Sequence, residues 1–158
     1  MKLIVGVSDM KLSNKSDDTI VTFALGSCIG VAIYDPVACV GGILHFMLPL
    51  SSTDTEKSIK NPSMFGDTGI PSLFRKAYEL GAEKKRLRVV MAGGASVLDI
   101  QDRFNIGHRN ITIARKLFWK NGILIDAESV GGNISRTLYL DMSSGEVWFT
   151  SKGERVDL

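Results

Sequence analysis

Two apolar runs joined by an Asp-Pro turn constrain this chain more than any other feature in it. Between Thr22 and Pro49 the sequence reads TFALGSCIGVAIYDPVACVGGILHFMLP. The runs from Cys28 to Tyr34 and from Gly41 to Leu48 read as strands. Asp35-Pro36-Val37-Ala38 supplies turn chemistry between them, so the spacing predicts an antiparallel hairpin. If Tyr34 pairs with Cys39, Cys28 stands directly opposite His45. Opposed residues share a face with Cβ atoms about 4.5–5.5 Å apart. A slip of one residue would send the two side chains to opposite faces.

That juxtaposition has a chemical meaning and a plain one. A thiolate is the nucleophile of cysteine chemistry, and an adjacent imidazole can take its proton and later return it, the arrangement of acyl transfer and amide hydrolysis. The same spacing equally fits a buried structural thiol beside a hydrogen-bonded core histidine. Spacing leaves both open. Gly26, in the turn before Cys28, suits a sharp bend, and N–H groups freed there could receive an oxyanion. Ordinary turn-making explains it as well.

Bulk properties exclude several classes. A net charge of +2 on 158 residues gives no basis for nucleic-acid binding. The densest basic patch, Lys84-Lys85-Arg86 with Arg88, reads as a solvated loop leading into a strand. The apolar start Met1–Val7 is far shorter than a signal-peptide core, and nothing approaches the roughly 20 apolar residues of a spanning helix. A cytoplasmic protein without membrane insertion is expected, with Cys28 and Cys39 reduced rather than bridged. With two Cys and two His in no standard zinc spacing, neither metal nor cofactor is called for.

Taken in order, Leu3 to Ser8 reads as a strand, Lys11 to Asp18 as a polar loop, and Thr19 to Ala24 as a second strand that delivers Thr22 near the Cys28 turn. Ser51 to Ser63 is expected to be a loop. Asp67 is placed to cap a helix running to about Leu80, with Ile70, Leu73, Phe74, Ala77 and Tyr78 on its inner face and Gly81 as its stop. Leu87 to Ala92 reads as a strand, followed by Gly93-Gly94-Ala95-Ser96, which lacks any phosphate-loop pattern. Val97 to Arg109 reads as irregular, with Phe104 as an inward anchor. A second helix is predicted from about His108 to Asn121, with Ile111, Ala114, Leu117 and Phe118 inward and His108 at the surface. Ile123–Ser129, Ser135–Met142 and Glu146–Ser151 read as strands, the last two joined by a Ser143-Ser144-Gly145 hairpin loop. Strands outnumber helices and their first block precedes both, which argues for an α+β fold in one domain, 1–158.

Five ordered blocks carry a resemblance: LGSCIGVAIYDP (25–36), GGILHFMLP (41–49), AGGAS (92–96), NIGHRN (105–110) and GGNISRTL (131–138). Together they span nearly the whole chain and resemble the CheD family, the chemotaxis glutamine deamidases of bacteria and archaea. The resemblance implies two stacked mixed β-sheets with helices outside, similar to toxin-type glutamine deamidases. It also implies a Cys–His–Thr site that hydrolyses receptor glutamine amides to glutamates. On the motifs the nucleophile falls on Cys28, the histidine on His45 and the threonine on Thr22, acting through its hydroxyl or its backbone carbonyl. Methyl-accepting chemotaxis receptors are the implied substrates and a CheC-type phosphatase the implied partner. A non-catalytic adaptor that binds such a phosphatase, and a different fate for the thioester such as transamidation, are the rival readings.

Overall fold

Strands β4 (Ile29–Asp35) and β5 (Val40–Phe46) are buried at every residue, because their sheet is covered on both faces. The computed structural model describes residues 1–96 and 104–158. In it the hairpin sits at the centre of a five-stranded sheet. Its neighbours are β2 (Asp9–Ser13) beside β5, β6 (Arg88–Gly93) beside β4, and β7 (Ala127–Val130) beyond β6. A second five-stranded sheet runs in the order β1 (Lys2–Val5), β3 (Thr19–Leu25), β8 (Arg136–Asp141), β9 (Val147–Ser151) and β10 (Glu154–Asp157). Both sheets are mixed: β1 runs parallel to β3, and β6 to β7, while the other pairs are antiparallel.

Period-two alternation splits the hairpin between two cores. Ile29, Val31 and Ile33 face the helices with Leu44 and Phe46, whereas Ala32, Tyr34 and Ile43 face the second sheet with Leu138 and Leu140. The sheets approach closely. A Cβ on Gly30 would stand 2.9 Å from the Leu138 side chain. The fold is therefore α+β, two stacked mixed sheets with helices on one outer face.

Helix α1 (Thr55–Lys60) is short. The two long helices are α2 (Gly66–Glu79) and α3 (Ile106–Lys120). On α2 the predicted inner residues Ile70, Leu73, Phe74 and Ala77 are buried, but Tyr78 is partly exposed at 39 % and only edges against Phe74. Phe65 rather than Asp67 occupies the N-cap position. The Asp67 carboxylate instead accepts hydrogen bonds from the N–H and hydroxyl of Ser51. Gly81 ends the helix at φ +105°. On α3, Ile111, Ala114 and Phe118 are buried and Leu117 is partly so.

Several expectations from the sequence are corrected. Of the stretch Lys11–Asp18, expected to be a loop, Lys11–Ser13 belongs to β2. It is polar because an edge strand need turn only alternate residues to the core, here Met10 and Leu12. Ser51–Ser63 is not a plain loop. A 3-10 turn at Ser51–Thr53 precedes α1, which the Asp54 side chain caps, and another turn spans Pro62–Met64. Strand β10 had no counterpart in the sequence reading. Helix α3 begins at Ile106, two residues early, and Phe104 is exposed at 71 % rather than an inward anchor. The rest of the segment read as irregular, 97–103, lies outside the described residues.

Candidate functional site

The hairpin register differs from the predicted one by two residues. Asp35 pairs with Val40 and Gly30 pairs with His45, so Cys28 is not directly opposite the histidine. A shift of two preserves parity. Cys28 packs against the core between the sheets, and His45 reaches into the same layer to a residue of the other sheet. Facing His45 there is a glycine, so no side chain crowds the imidazole from its paired position.

Thr22 comes from β3, at the point where regular pairing with β8 breaks. The register shifts between Thr22 and Leu25, Phe23 turns outward, and Ala24 holds the left-handed φ of +57°. A bulge of this kind re-aims side chains, and such strained backbone is common beside active sites. The fully buried Thr22 hydroxyl donates to the Val5 carbonyl at 2.8 Å and lies 2.7 Å from His45 Nδ1. A hydroxyl has one hydrogen. Given to Val5, it leaves only a lone pair for the imidazole, so Nδ1 carries the proton and Nε2 does not. Nε2 is buried without a hydrogen-bond partner among the described residues. The contact with the ring is made by the threonine hydroxyl.

Electrostatics favour the neutral pair. Burial drives the His45 pKa from 6.5 down to about 4, although Asp9, paired with it across β2, pulls the other way. Burial likewise raises the Cys28 thiol, partly offset by its own backbone N–H. At neutral pH the site holds a thiol and an unprotonated imidazole. The two groups are thus neutral rather than a preformed ion pair.

The turn that carries Cys28 is gripped from outside. Gly94 N–H donates to the Cys28 carbonyl at 2.9 Å and Ala95 N–H to that of Gly26 at 2.8 Å. Gly93 must be glycine here: at φ +111°, a Cβ would sit 2.2 Å from the Cys28 oxygen. Arg136, buried in β8, donates to the carbonyls of Gly93 and Gly131 and fastens the glycine loop in turn. The glycines of the Gly93–Ser96 block thus serve close backbone approach, the reading that suits a glycine pair after a strand better than a phosphate loop, here against the Cys28 turn. Asn110 on α3 went unnoticed in the sequence. Its side-chain NH2 donates to the carbonyls of Ser27 and Met47 at 2.9 and 3.0 Å. The only sequence signal for it was its place at the end of the NIGHRN block.

His108 points elsewhere, exposed on α3. Cys28 and Cys39 are both free thiols. Among the described residues no cluster of three or more His, Cys, Asp or Glu is placed to hold a metal, and no helix is long and apolar enough to cross a membrane. A surface hollow of about 590 Å³ between Lys84, Leu87 and Leu124 contains none of Thr22, Cys28 or His45.

Comparison with known proteins adds to this geometry. A family model described as CheD chemotactic sensory transduction matches residues 47–151. A Syntrophus aciditrophicus protein named probable chemoreceptor glutamine deamidase CheD 1 is 54% identical over 151 residues, covering 96% of this chain and 94% of that one. Proteins named probable chemoreceptor glutamine deamidase CheD from Solibacter usitatus and Clostridium botulinum are 46% and 40% identical. They cover 99% and 94% of this chain and 93% and 92% of their own lengths. Among solved structures, the hypothetical protein YfiH of Bacillus licheniformis superposes with a TM-score of 0.48 at 15% identity, over 77% of this chain and 49% of that one.

Proposed function

This chain belongs to the CheD family, and on that premise we propose that it deamidates glutamine side chains of methyl-accepting chemoreceptors with Cys28 as nucleophile. The observation that carries the reading is the Thr22–His45 hydrogen bond. It holds the ring in the tautomer whose Nε2 is a base, and leaves that atom buried without a partner. A core histidine kept for packing would have both nitrogens satisfied.

Nε2 takes the Cys28 proton as the sulfur attacks the carboxamide carbon, forming a C–S bond and an oxyanion. The carbonyls of Gly26, Ser27 and Cys28 are all engaged, whereas among the described residues the Ser27 and Cys28 N–H groups donate to no other residue's backbone. Their N–H groups supply the oxyanion hole. The imidazolium then protonates the nitrogen, the C–N bond breaks, and ammonia leaves a thioester. Water, losing a proton to Nε2, cleaves the C–S bond. Glutamate departs and the thiol is restored. No step calls for a cofactor.

The whole chain, 1–158, acts as one deamidase domain in the cytoplasm, and a CheC-type phosphatase is the regulatory partner that the family suggests. An adaptor without catalysis would leave the unpartnered Nε2 without a use. The test is mass spectrometry on a purified chemoreceptor cytoplasmic fragment incubated with wild type, Cys28→Ala and His45→Ala, scoring each glutamine for conversion to glutamate. Conversion by wild type alone is expected. Undiminished conversion by Cys28→Ala would remove the nucleophile from this reading.

A further inference from the structure

We propose that Asn110 is a positioning residue that sets the Cys28 turn against the His45 strand; the proposal deepens the deamidase reading and rests on it. Cys28 immediately precedes β4 and His45 lies near the end of β5, at the open end of the hairpin, where no turn links them. Residues 26–28 have left the ladder and Met47 lies one residue past β5. The Asn110 NH2 bridges that gap, with one hydrogen to the Ser27 carbonyl and the other to the Met47 carbonyl. The first is the peptide unit whose nitrogen belongs to Cys28. The second lies two residues beyond His45.

Two further observations set this bridge apart from ordinary helix packing. The first turn of α3 is brought in backbone to backbone: a Cβ on Gly107 would lie 2.6 Å from the Gly94 carbonyl and 2.8 Å from that of Ala95. The helix is therefore pressed onto the same glycine loop that grips Cys28 and Gly26, and Asn110 is delivered one turn later. In addition, Asn110 is fully buried, yet its Oδ1 has no hydrogen-bond partner among the described residues. Two carbonyl oxygens demand two donors from one side chain, and the primary amide supplies both from its NH2 while its oxygen is turned to a place with no donor among the described residues. A buried acceptor without a partner is a cost that packing alone does not explain. Fixing two carbonyls belonging to the nucleophile's turn and the base's strand does explain it.

The amide is also specific. A carboxylate in its place would confront two carbonyl oxygens, and an aliphatic side chain would leave both unbridged. Small errors in the placement of a nucleophile against its base are costly in rate, on the order of 10²-fold for about 1 Å.

The experiment compares wild type, Asn110→Ala and a packing control, Phe118→Leu on the same helix, all in a Cys39→Ser background. Two quantities are read on folded protein: kcat and KM for receptor deamidation, and the rate of Cys28 alkylation by iodoacetamide as a function of pH. For Asn110→Ala we expect kcat to fall on the order of 10²-fold with KM little changed, together with an altered alkylation pH profile. Phe118→Leu should lower the melting temperature while leaving both unchanged. An alkylation profile of Asn110→Ala superimposable on wild type would overturn the proposal, whether or not the receptor is deamidated. So would an equal loss of kcat in Phe118→Leu. Failure of the wild type to convert any glutamine, with a shifted Asn110→Ala profile, would instead sink the deamidase reading and keep the positioning role. If Asn110→Ala does not fold, Asn110→Ser keeps one donor and is held to the same criteria.

Discussion

The two ends of the β4–β5 hairpin close in opposite ways. At the Asp35 end the chain closes itself. The fully buried Asp35 carboxylate accepts from the N–H groups of Val37 and Ala38 within its own turn, and from Glu83 N–H and the Arg86 guanidinium beside it. Burial would raise this carboxyl, but those donors outweigh it and hold its pKa below the usual value. At the Cys28 end nothing local closes the turn. Its carbonyls are taken by Gly94, Ala95 and Asn110 from distant parts of the chain, and among the described residues the Ser27 N–H and the His45 Nε2 have no partner. The two cysteines mark the contrast. Cys39 is exposed in the closed turn, while Cys28 is half-buried in the open one. A turn satisfied by its own side chain is stable and chemically quiet, whereas one held from outside can keep donors and a base free.

The largest expected effect is at the open end. The folded protein refuses a proton on His45 that the unfolded chain accepts between its pKa of about 6.5 and the folded value of about 4. Stability is therefore lost as pH falls through that window, by about 3 kcal/mol in total from this residue. Urea unfolding at pH 7 and pH 4 should show a smaller loss in His45→Gln than in wild type. Equal losses would remove His45 as the titrating group.

Next is Gly93→Ala, which drives a Cβ into the Cys28 carbonyl at a left-handed φ. It should cost about 2–3 kcal/mol of stability and reduce deamidation by the folded fraction as well, because the strained contact is with the nucleophile's own peptide. Retained specific activity would show that the grip on this turn is structural only. The smallest is Asp35→Asn, expected to cost about 1–2 kcal/mol in chemical denaturation with kcat unchanged. A matching drop in kcat would mean that the two ends are mechanically coupled and would dissolve the contrast.

Much of the architecture could be read in the chain because it depends on local periodicity. The fully apolar runs of β4 and β5, the inner face of α2 and the Ser143–Gly145 hairpin loop all express near-neighbour patterns. Polarity masked position in β2, where Met10 and Leu12 turn to the core, and 51–64 resolved into short capped turns. Tyr78 and Phe104 were misplaced because an aromatic at the end of a pattern has no neighbour that compels it inward. The candidate site was legible as three residue identities through their motifs, but not as a geometry. The predicted register preserved the shared face and missed the pairing by two residues, since the four-residue loop begins after Asp35 rather than after Tyr34.

The sequence by itself determined which residues could do chemistry, because a thiol, an imidazole and a hydroxyl are covalent properties of Cys28, His45 and Thr22. It also determined the hairpin that carries two of them, because apolar alternation and an Asp-Pro turn act over a few residues. Only the tertiary structure decided which imidazole nitrogen lacks the proton, since that follows from the Thr22 hydroxyl having spent its one hydrogen on Val5, 17 residues away. It alone decided that the Cys28 turn is held by Gly94, Ala95 and Asn110. Hydrogen bonds between residues as many as 83 positions apart leave no local pattern in the chain, because each is made by folding and not by neighbours.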